Sequence, residues 1–243
     1  MIDIEIFIPT RDRIKYLEQA VESALINVSN DSIYIVDNSI KHADKVKAIA
    51  KSYGVNYVSP IGDLNIWQNW NRCLQLAGSK YAAILGDDDI LSSDYVTNFK
   101  KAVESHQYID VYACSLTFID SEGKPLPNRY FNWPNGYFKS KEKLLNTSSL
   151  YDLGFPSVSA IYRTDLNFRF DESGQESNDW SGIYMYKLFQ RYYINACSDY
   201  KYRKHSSAMT SSLELVSSRR KFQAWLCGEL ARQSNSPYWM IWR

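Results

Sequence analysis

Cysteine is scarce, and the four present, Cys73, Cys114, Cys197 and Cys227, are too widely spaced for a zinc-ligand pattern. Free thiols in a reducing compartment are the simplest account of them. No apolar run approaches the roughly 20 residues that a membrane-spanning helix needs. The opening Met1-Ile2-Asp3-Ile4-Glu5 has no basic segment leading into an apolar core, so no signal peptide is expected there. A charge excess is missing too: 28 Lys and Arg oppose 27 Asp and Glu, for a net charge of +1. That balance argues against a broad electrostatic footprint, and nucleic acid is not an expected partner. Repeats and low-complexity tracts are absent, and no second region has the makings of its own core. The expected location is cytoplasmic, with membrane contact at most peripheral.

Aromatic residues, by contrast, make up 15% of the chain, with 19 Tyr and 7 Trp. Amphipathic rings of this kind serve cores, sugar-binding surfaces and membrane interfaces. At 243 residues the chain suffices for one α/β domain with elaborations. Its most informative stretch is acidic. Tyr81-Ala82-Ala83-Ile84-Leu85 reads as a short buried strand, Gly86 lets the chain turn, and Asp87, Asp88 and Asp89 follow at once. Like charges this close repel, and burial raises their pKa values. They need a compensating cation or full exposure. Mg²⁺ or Mn²⁺ suits them, because these ions prefer carboxylate oxygens and keep positions open for substrate phosphates. A solvated acidic turn that caps the next helix is the alternative.

The strand Ile4 to Ile8 is stopped by Pro9-Thr10, and the polar Arg11-Asp12-Arg13 leads into a helix from Ile14 to Asn27. A second strand, Ile33 to Val36, ends in Asp37-Asn38-Ser39. A second helix, Ala43 to Tyr53, passes through Gly54 to a third strand, Asn56 to Val58. This alternation predicts a parallel sheet with right-handed crossovers, whose ligands collect beyond the carboxyl ends of the strands. Thr10, Arg11, Asp37 and the acidic triplet all fall at those ends. A helix entered from Gly62 and running to Ala77 would aim Asn69 and Arg72 at the same edge. Ordinary amphipathicity of Trp67, Trp70 and Leu74 also accounts for that helix.

Ser92-Ser93-Asp94 is expected to cap a helix reaching Ser105, followed by a strand from Val111 to Ile119. Then come a long loop from Lys124 to Gly136, a helix from Lys139 to Leu150 and a strand from Phe155 to Tyr162. Asp171 to Trp180 gathers four carboxylates before a helix from Ile183 to Tyr192, an arrangement that also stabilises helix N-termini without any chemistry. Asn195 to Tyr202 is the last expected strand.

Together these pieces resemble the family 2 glycosyltransferases of the GT-A fold. The matching stretches are Ile6-Phe7-Ile8-Pro9-Thr10-Arg11-Asp12-Arg13, Ile35-Val36-Asp37-Asn38-Ser39, Asn69-Trp70-Asn71-Arg72 and Leu85-Gly86-Asp87-Asp88-Asp89-Ile90-Leu91. Asn178-Asp179-Trp180 is similar to the family's acceptor-side acidic motif, and Arg203-Lys204-His205 to its late His motif. Asn38 departs from the pattern, which usually has a second acidic residue there. The resemblance implies a mostly parallel, Rossmann-like sheet flanked by helices over residues 1–210. Residues 1–120 would bind the nucleotide sugar and 121–210 the acceptor, with a helical extension over 211–243.

The resemblance further implies a nucleoside-diphosphate sugar as donor, a glycan or polyprenyl-linked hydroxyl as acceptor, and Mn²⁺ or Mg²⁺ as cofactor. O-antigen, capsule or exopolysaccharide synthesis in bacteria is the setting it suggests. Asp89 would ligate the metal, with His205 completing its shell or meeting the diphosphate. Asp87 would lie nearer the ribose and Asp88 support the turn. Pro9, Thr10, Arg11, Arg13, Asp37, Asn69 and Arg72 would complete the donor nucleotide site. Asp179 would act as general base, with Glu176 the fallback, and Trp180 would line the acceptor pocket. One acceptor-side carboxylate and a metal-bound leaving group imply single displacement with inversion.

Two other classes compete. A nucleotidyltransferase would carry a Gly-rich basic loop after the first strand, and Pro9-Thr10-Arg11-Asp12-Arg13 has no Gly. A non-catalytic carbohydrate-binding module would not need the triplet. At the C-terminus, Arg219-Arg220-Lys221-Phe222 opens an amphipathic helix and Tyr238-Trp239-Met240-Ile241-Trp242-Arg243 ends the chain. Basic residues beside rings suit either a bilayer surface or a helix packed on the domain.

Overall fold

Every residue of β1 (Ile4–Thr10) is buried, as expected for a strand with neighbours on both edges and layers on both faces. The computed structural model describes residues 2–130, 135–139, 157–170, 172 and 188–205. In it β1 pairs in parallel with β2 (Ile33–Asp37), which pairs in parallel with β3 (Asn56–Val58). On its other edge β1 is parallel to β4 (Tyr81–Ile84). The remaining strands are β5 (Ile90–Leu91), β6 (Val111–Ile119), β7 (Pro125–Tyr130), β8 (Gly136–Phe138), β9 (Ile161–Arg163) and β10 (Tyr192–Arg203). The sheet runs β3-β2-β1-β4-β9-β6-β10-β5, with β7 on β6 and β8 on β10. Since β9 is antiparallel to both β4 and β6, the sheet becomes mixed beyond β4.

Among the described residues, four α-helices cover it: α1 (Leu17–Leu25), α2 (Ala43–Tyr53), α3 (Ile66–Leu76) and α4 (Tyr95–Ser105). The period-two alternation of β1 sorts its side chains between two layers. Ile4, Ile6 and Ile8 pack with Leu17, Val21, Val46, Ala50 and Phe99, drawn from α1, α2 and α4. Phe7 faces the other way, toward Trp67, Trp70 and Leu74 of α3 and the rings of Phe168, Phe170 and Phe189. Trp70 meets Phe170 edge-on at 5.2 Å, so α3 is fastened to the segment after β9 by ring packing. Gly54 ends α2 at a φ of 66°, a left-handed C-cap where a side chain would be strained.

Several expectations need correction. Pro9 does not stop β1, which continues to Thr10. Phe7 accepts from Leu85 on the β4 side, so Pro9 shares that side, and β4 pairing has ended at Phe7 opposite Ile84. Its missing N–H therefore costs no ladder bond. The cap of α4 is not local either. Asp94 makes no side-chain cap, and Asn27 caps from a distance, accepting from Val96 N–H at 3.0 Å. Within the expected loop after Lys124, Pro125–Tyr130 pairs antiparallel with β6. Before Tyr162 the chain takes a 3₁₀ turn, Ser157–Ser159, so β9 is shorter and starts at Ile161. Tyr192 opens β10 rather than closing a helix. The expected helix over 139–150, most of the one from 183, and the extension over 211–243 lie outside the described residues.

Candidate active site

The carboxyl ends of β1, β2 and β4 are brought level by register: Thr10 lies opposite Asp37, and Leu85 N–H donates to Phe7. Residues distant in sequence thus meet at one edge. Thr10 Oγ1 donates to Asp87 Oδ2 at 2.7 Å. Asp88 Oδ2 lies 2.9 Å from His205 Nε2 and 3.1 Å from an Arg13 guanidinium nitrogen. Asp89 points the other way, accepting from Arg203 N–H at 2.8 Å and from the Tyr200 hydroxyl at 2.7 Å. Three consecutive aspartates therefore take three directions. The turn is tight enough that a Cβ on Gly86 would sit 2.7 Å from Asp89 Oδ2, which explains glycine there.

Charge is concentrated where water is excluded. Asp87 and Asp89 are buried, and Asp87 Oδ1 has no hydrogen-bond donor, only Arg13 at 3.3 Å. Burial pushes the Asp87 carboxyl up to about 7, opposed by Arg13 and reinforced by Asp88. Burial likewise pushes Asp89 up to about 8, reinforced by Asp88. Burial disfavours the charged Arg13 guanidinium, but Asp87, Asp88 and Asp89 outweigh it, and its pKa rises.

These shifts set a pH dependence. An acid with a folded pKa above its ordinary 3.8 binds protons more tightly when folded, so its stabilisation fades as pH rises. Without added cation, the melting temperature should fall between pH 5 and pH 8, the window below those raised values of about 7 and about 8. Saturating Mn²⁺ should flatten the fall. A melting temperature that rises across that range in chelator would contradict the buried-carboxylate picture.

On the β2 side, Asp37 is fully buried, its oxygens accepting from Ser39 N–H at 2.8 Å and the Tyr57 hydroxyl at 2.9 Å. Burial first, then this bond, pushes the Tyr57 phenol up to about 12. Arg72 is buried and donates to the carbonyls of Asp37 and Ser59, tying the ends of β2 and β3 together. Asn69, also buried, donates to Val36 O at 3.2 Å and leaves its own Oδ1 without a partner. Arg11 pairs with Asp63 at 2.6 Å and donates to Leu64 O. Asn38 donates to the same carbonyl at 2.7 Å, so it works as a clasp on the 59–65 loop. Thr10, Arg13, Asp87, Asp88, Asp89 and His205 thus form one cluster, and Arg11, Asp37 and Arg72 a second group along the neighbouring strand ends. Pro9 belongs to the strand. Glu176, Asp179 and Trp180 lie outside the described residues.

Tyr200 and Arg203 escaped the sequence reading as site residues. Tyr200 accepts from Gly86 N–H while donating to Asp89, bracing the turn from β10. Arg203 belonged to a matched motif, but nothing in the sequence said that its side chain would be buried beneath the triplet.

A sequence model of glycosyl transferase family 2 matches residues 5–165, a span that ends in the turn after β9 and contains the whole triplet. The chain belongs to that family. It is 25% identical to an uncharacterised glycosyltransferase of Methanocaldococcus jannaschii, over 79% of this chain and 77% of the relative. Among solved structures, S. aureus TarS 1-349 in complex with UDP superposes with a TM-score of 0.68 at 16% identity. That match covers 92% of this chain and 65% of the TarS chain. The UDP-GlcNAc complex gives 0.66 at 17% identity, over 90% and 65%. A longer TarS chain is covered to only 36%. This likeness establishes the GT-A architecture, a mixed α/β sheet flanked by helices.

Family members often use a divalent metal, and the site can be tested for one. Among the described residues, no three His, Cys, Asp or Glu side chains form a ready-made cluster. Two donors are nevertheless well placed. Asp88 Oδ2 and His205 Nε2 are paired with each other at 2.9 Å, an ordinary hydrogen-bond separation, and both are groups that a divalent cation could take as ligands in place of that bond. Asp87 Oδ1, without a hydrogen-bond donor, already has the Arg13 guanidinium 3.3 Å away. Asp88 and His205 are the residues that would hold a small divalent ion here, where it would supply Lewis-acid chemistry.

Proposed function

We propose that this chain transfers a sugar from a nucleoside diphosphate to an acceptor hydroxyl with inversion, assisted by Mn²⁺ or Mg²⁺. The acidic turn after β4 carries the proposal, because it sets a carboxylate, an imidazole and a guanidinium around one point at the sheet's ligand-binding edge. In this reading Asp88 and His205 hold the cation, and Arg13 balances the carboxylates beside the donor's phosphates. The bound cation supplies Lewis-acid stabilisation to the departing diphosphate. Asp89, the metal ligand that the resemblance implies, also fixes the turn, accepting from Arg203 N–H and the Tyr200 hydroxyl. Thr10 and Asp87 hold the sugar-nucleotide end of the pocket. Arg11, Asp37, Asn69 and Arg72 shape the nucleoside side.

Asp179 is the proposed base and Trp180 a wall of the acceptor pocket, with 121–210 the proposed acceptor part and 1–120 the donor part. Support for these comes from the motif order alone. A glycan or polyprenyl-linked acceptor in bacterial surface-polysaccharide synthesis fits the family, as does action at the inner face of the membrane through residues 211–243. No helix among the described residues is long and apolar enough to cross a membrane.

Calorimetry with UDP, GDP and dTDP, with and without Mn²⁺, followed by a diphosphate-release screen of matching sugar donors, tests the reading. The TarS complexes put UDP and UDP-GlcNAc first in that panel. Binding of no diphosphate would overturn it. Two substitutions probe the roles. His205→Ala should weaken diphosphate binding about tenfold, on the scale of losing a metal-site partner, while the free nucleoside binds almost as before; equal losses would mark His205 as structural. Asp179→Asn should keep donor affinity and lower turnover by about a hundredfold, the scale of general-base loss. Glu176→Gln is its control, and loss confined to that variant would move the base to Glu176.

A further inference from the structure

Helix α3 carries two adjacent polar residues, both buried, that reach in different directions. Arg72 grips the carbonyls of Asp37 and Ser59 at the donor side. Asn71, only 2% exposed, reaches the segment after β9. Its Nδ2 donates to Phe170 O at 2.9 Å and to Glu172 Oε1 at 2.7 Å, while its Oδ1 accepts from Phe170 N–H at 2.7 Å. The helix cap joins in, because Asn65 Nδ2 donates to Glu172 O at 3.2 Å. A single buried amide thereby pairs with a backbone unit as another strand would, and also grips a carboxylate. Packing of Trp67 and Trp70 on Phe170 would by itself hold this segment to the helix. The polar bonds add direction and register, which ring packing lacks.

Glu172 is the first of the acidic residues after Asp171 in the stretch that ends at Asp179. The geometry points to Asn71 as a positioning residue of the transfer reaction: it joins the donor-side helix to the segment that leads into the acceptor-side carboxylates. This rests on the function proposed above. One short helix thus spans both halves of the reaction, with Arg72 registering the nucleoside-side strand ends and Asn71 setting where the acidic stretch departs. Asn71 touches no substrate in this scheme. Its loss is expected to act on turnover, leaving donor affinity in place.

The test uses Asn71→Asp, which keeps size and the acceptor for Phe170 N–H but removes the donor to Phe170 O and sets a carboxylate against Glu172, so that only the Glu172 contact can be restored by a second change. Adding Glu172→Gln restores a donor opposite it. The probes are UDP, GDP and dTDP with Mn²⁺ for binding, and diphosphate release from the sugar nucleotide of whichever binds. Asn71→Asp should bind within about twofold of the parent while release falls about tenfold or more, and the double variant should recover part of that loss. Parallel losses of binding and release, unchanged release, or no recovery on adding Glu172→Gln would each overturn the assignment. Hydrogen exchange of peptides covering residues 163–172 decides the joint without any donor. Exchange should quicken in Asn71→Asp and slow again in the double variant, and unchanged exchange sinks the proposal. If the parent chain binds no nucleotide, the transfer reading fails while the exchange result still judges the joint.

Discussion

Asp88→Asn should abolish the tightening of nucleotide binding by Mn²⁺ and slow sugar transfer by about a hundredfold to a thousandfold. A metal Lewis acid supplies several kcal/mol at a leaving group, and each ~1.4 kcal/mol is tenfold in rate, which gives that range. Asparagine keeps the size of the side chain, so the fold should hold, but the Oδ2 position that meets both Arg13 and His205 must become either a neutral oxygen or an NH₂. What disappears is the charge at that position, 2.9 Å from His205 Nε2. Asp89→Asn is the informative partner. Its amide oxygen can still accept from Arg203 N–H, and the Tyr200 hydroxyl can turn to accept from the new NH₂. Removing a buried charge there should leave stability at pH 8 equal or higher, with the Mn²⁺ effect retained. Calorimetry on both variants separates the assignments. If Asp89→Asn loses the Mn²⁺ effect while Asp88→Asn keeps it, the direct ligand is Asp89.

That division of labour was not legible in Asp87-Asp88-Asp89 as a string. Three identical side chains in a row look equivalent, and only the turn at Gly86 sends them toward Thr10, His205 and Tyr200 separately. Their location was legible, because a short apolar run before a glycine marks a strand end, and parallel strands gather such ends at one edge. The central strands read easily for the same reason: β1, β2 and β4 are buried on both faces and so form nearly continuous apolar runs. β7 was hidden by its composition. Pro125, Pro127 and Asn128 signal a loop, yet the segment needs only one neighbour, β6, and an edge position tolerates proline. Contacts supplied across the fold were the other blind spot. Asn27 caps α4 from 69 residues away, a bond with no local signature. Arg72 looked like a ligand contact because it sits at the correct edge, but its guanidinium is committed to two carbonyls.

Arg203→Ala should be strongly destabilising, on the scale of truncating a buried core side chain. The guanidinium lies at the end of β10, 1% exposed, with Nε on Asp88 O at 2.7 Å. One terminal nitrogen serves the carbonyls of Asp120 and Ser121, each at 3.2 Å, and the other Gln19 Oε1 at 2.7 Å. The Tyr16 ring closes the remaining face, 4.3 Å away. A planar fork can meet the triplet turn, the β6–β7 turn and α1 together, whereas an ammonium at one point cannot. Truncation would strand the carbonyls of Asp88, Asp120 and Ser121 and the Gln19 amide oxygen. A buried acceptor left unpaired costs about 1–3 kcal/mol, so a loss of several kcal/mol is expected. Arg203→Lys should recover less than half of the loss, because the lysine reaches one partner at a time. Urea unfolding at pH 7 measures both variants, and the Lys form supplies the value if the Ala form does not fold. The backbone N–H of residue 203 still bonds Asp89 in either, so nucleotide binding should persist in whatever fraction folds. An Arg203→Ala protein within about 1 kcal/mol of the parent, the net worth of an ordinary hydrogen bond, would show that the two turns and α1 hold their places without it.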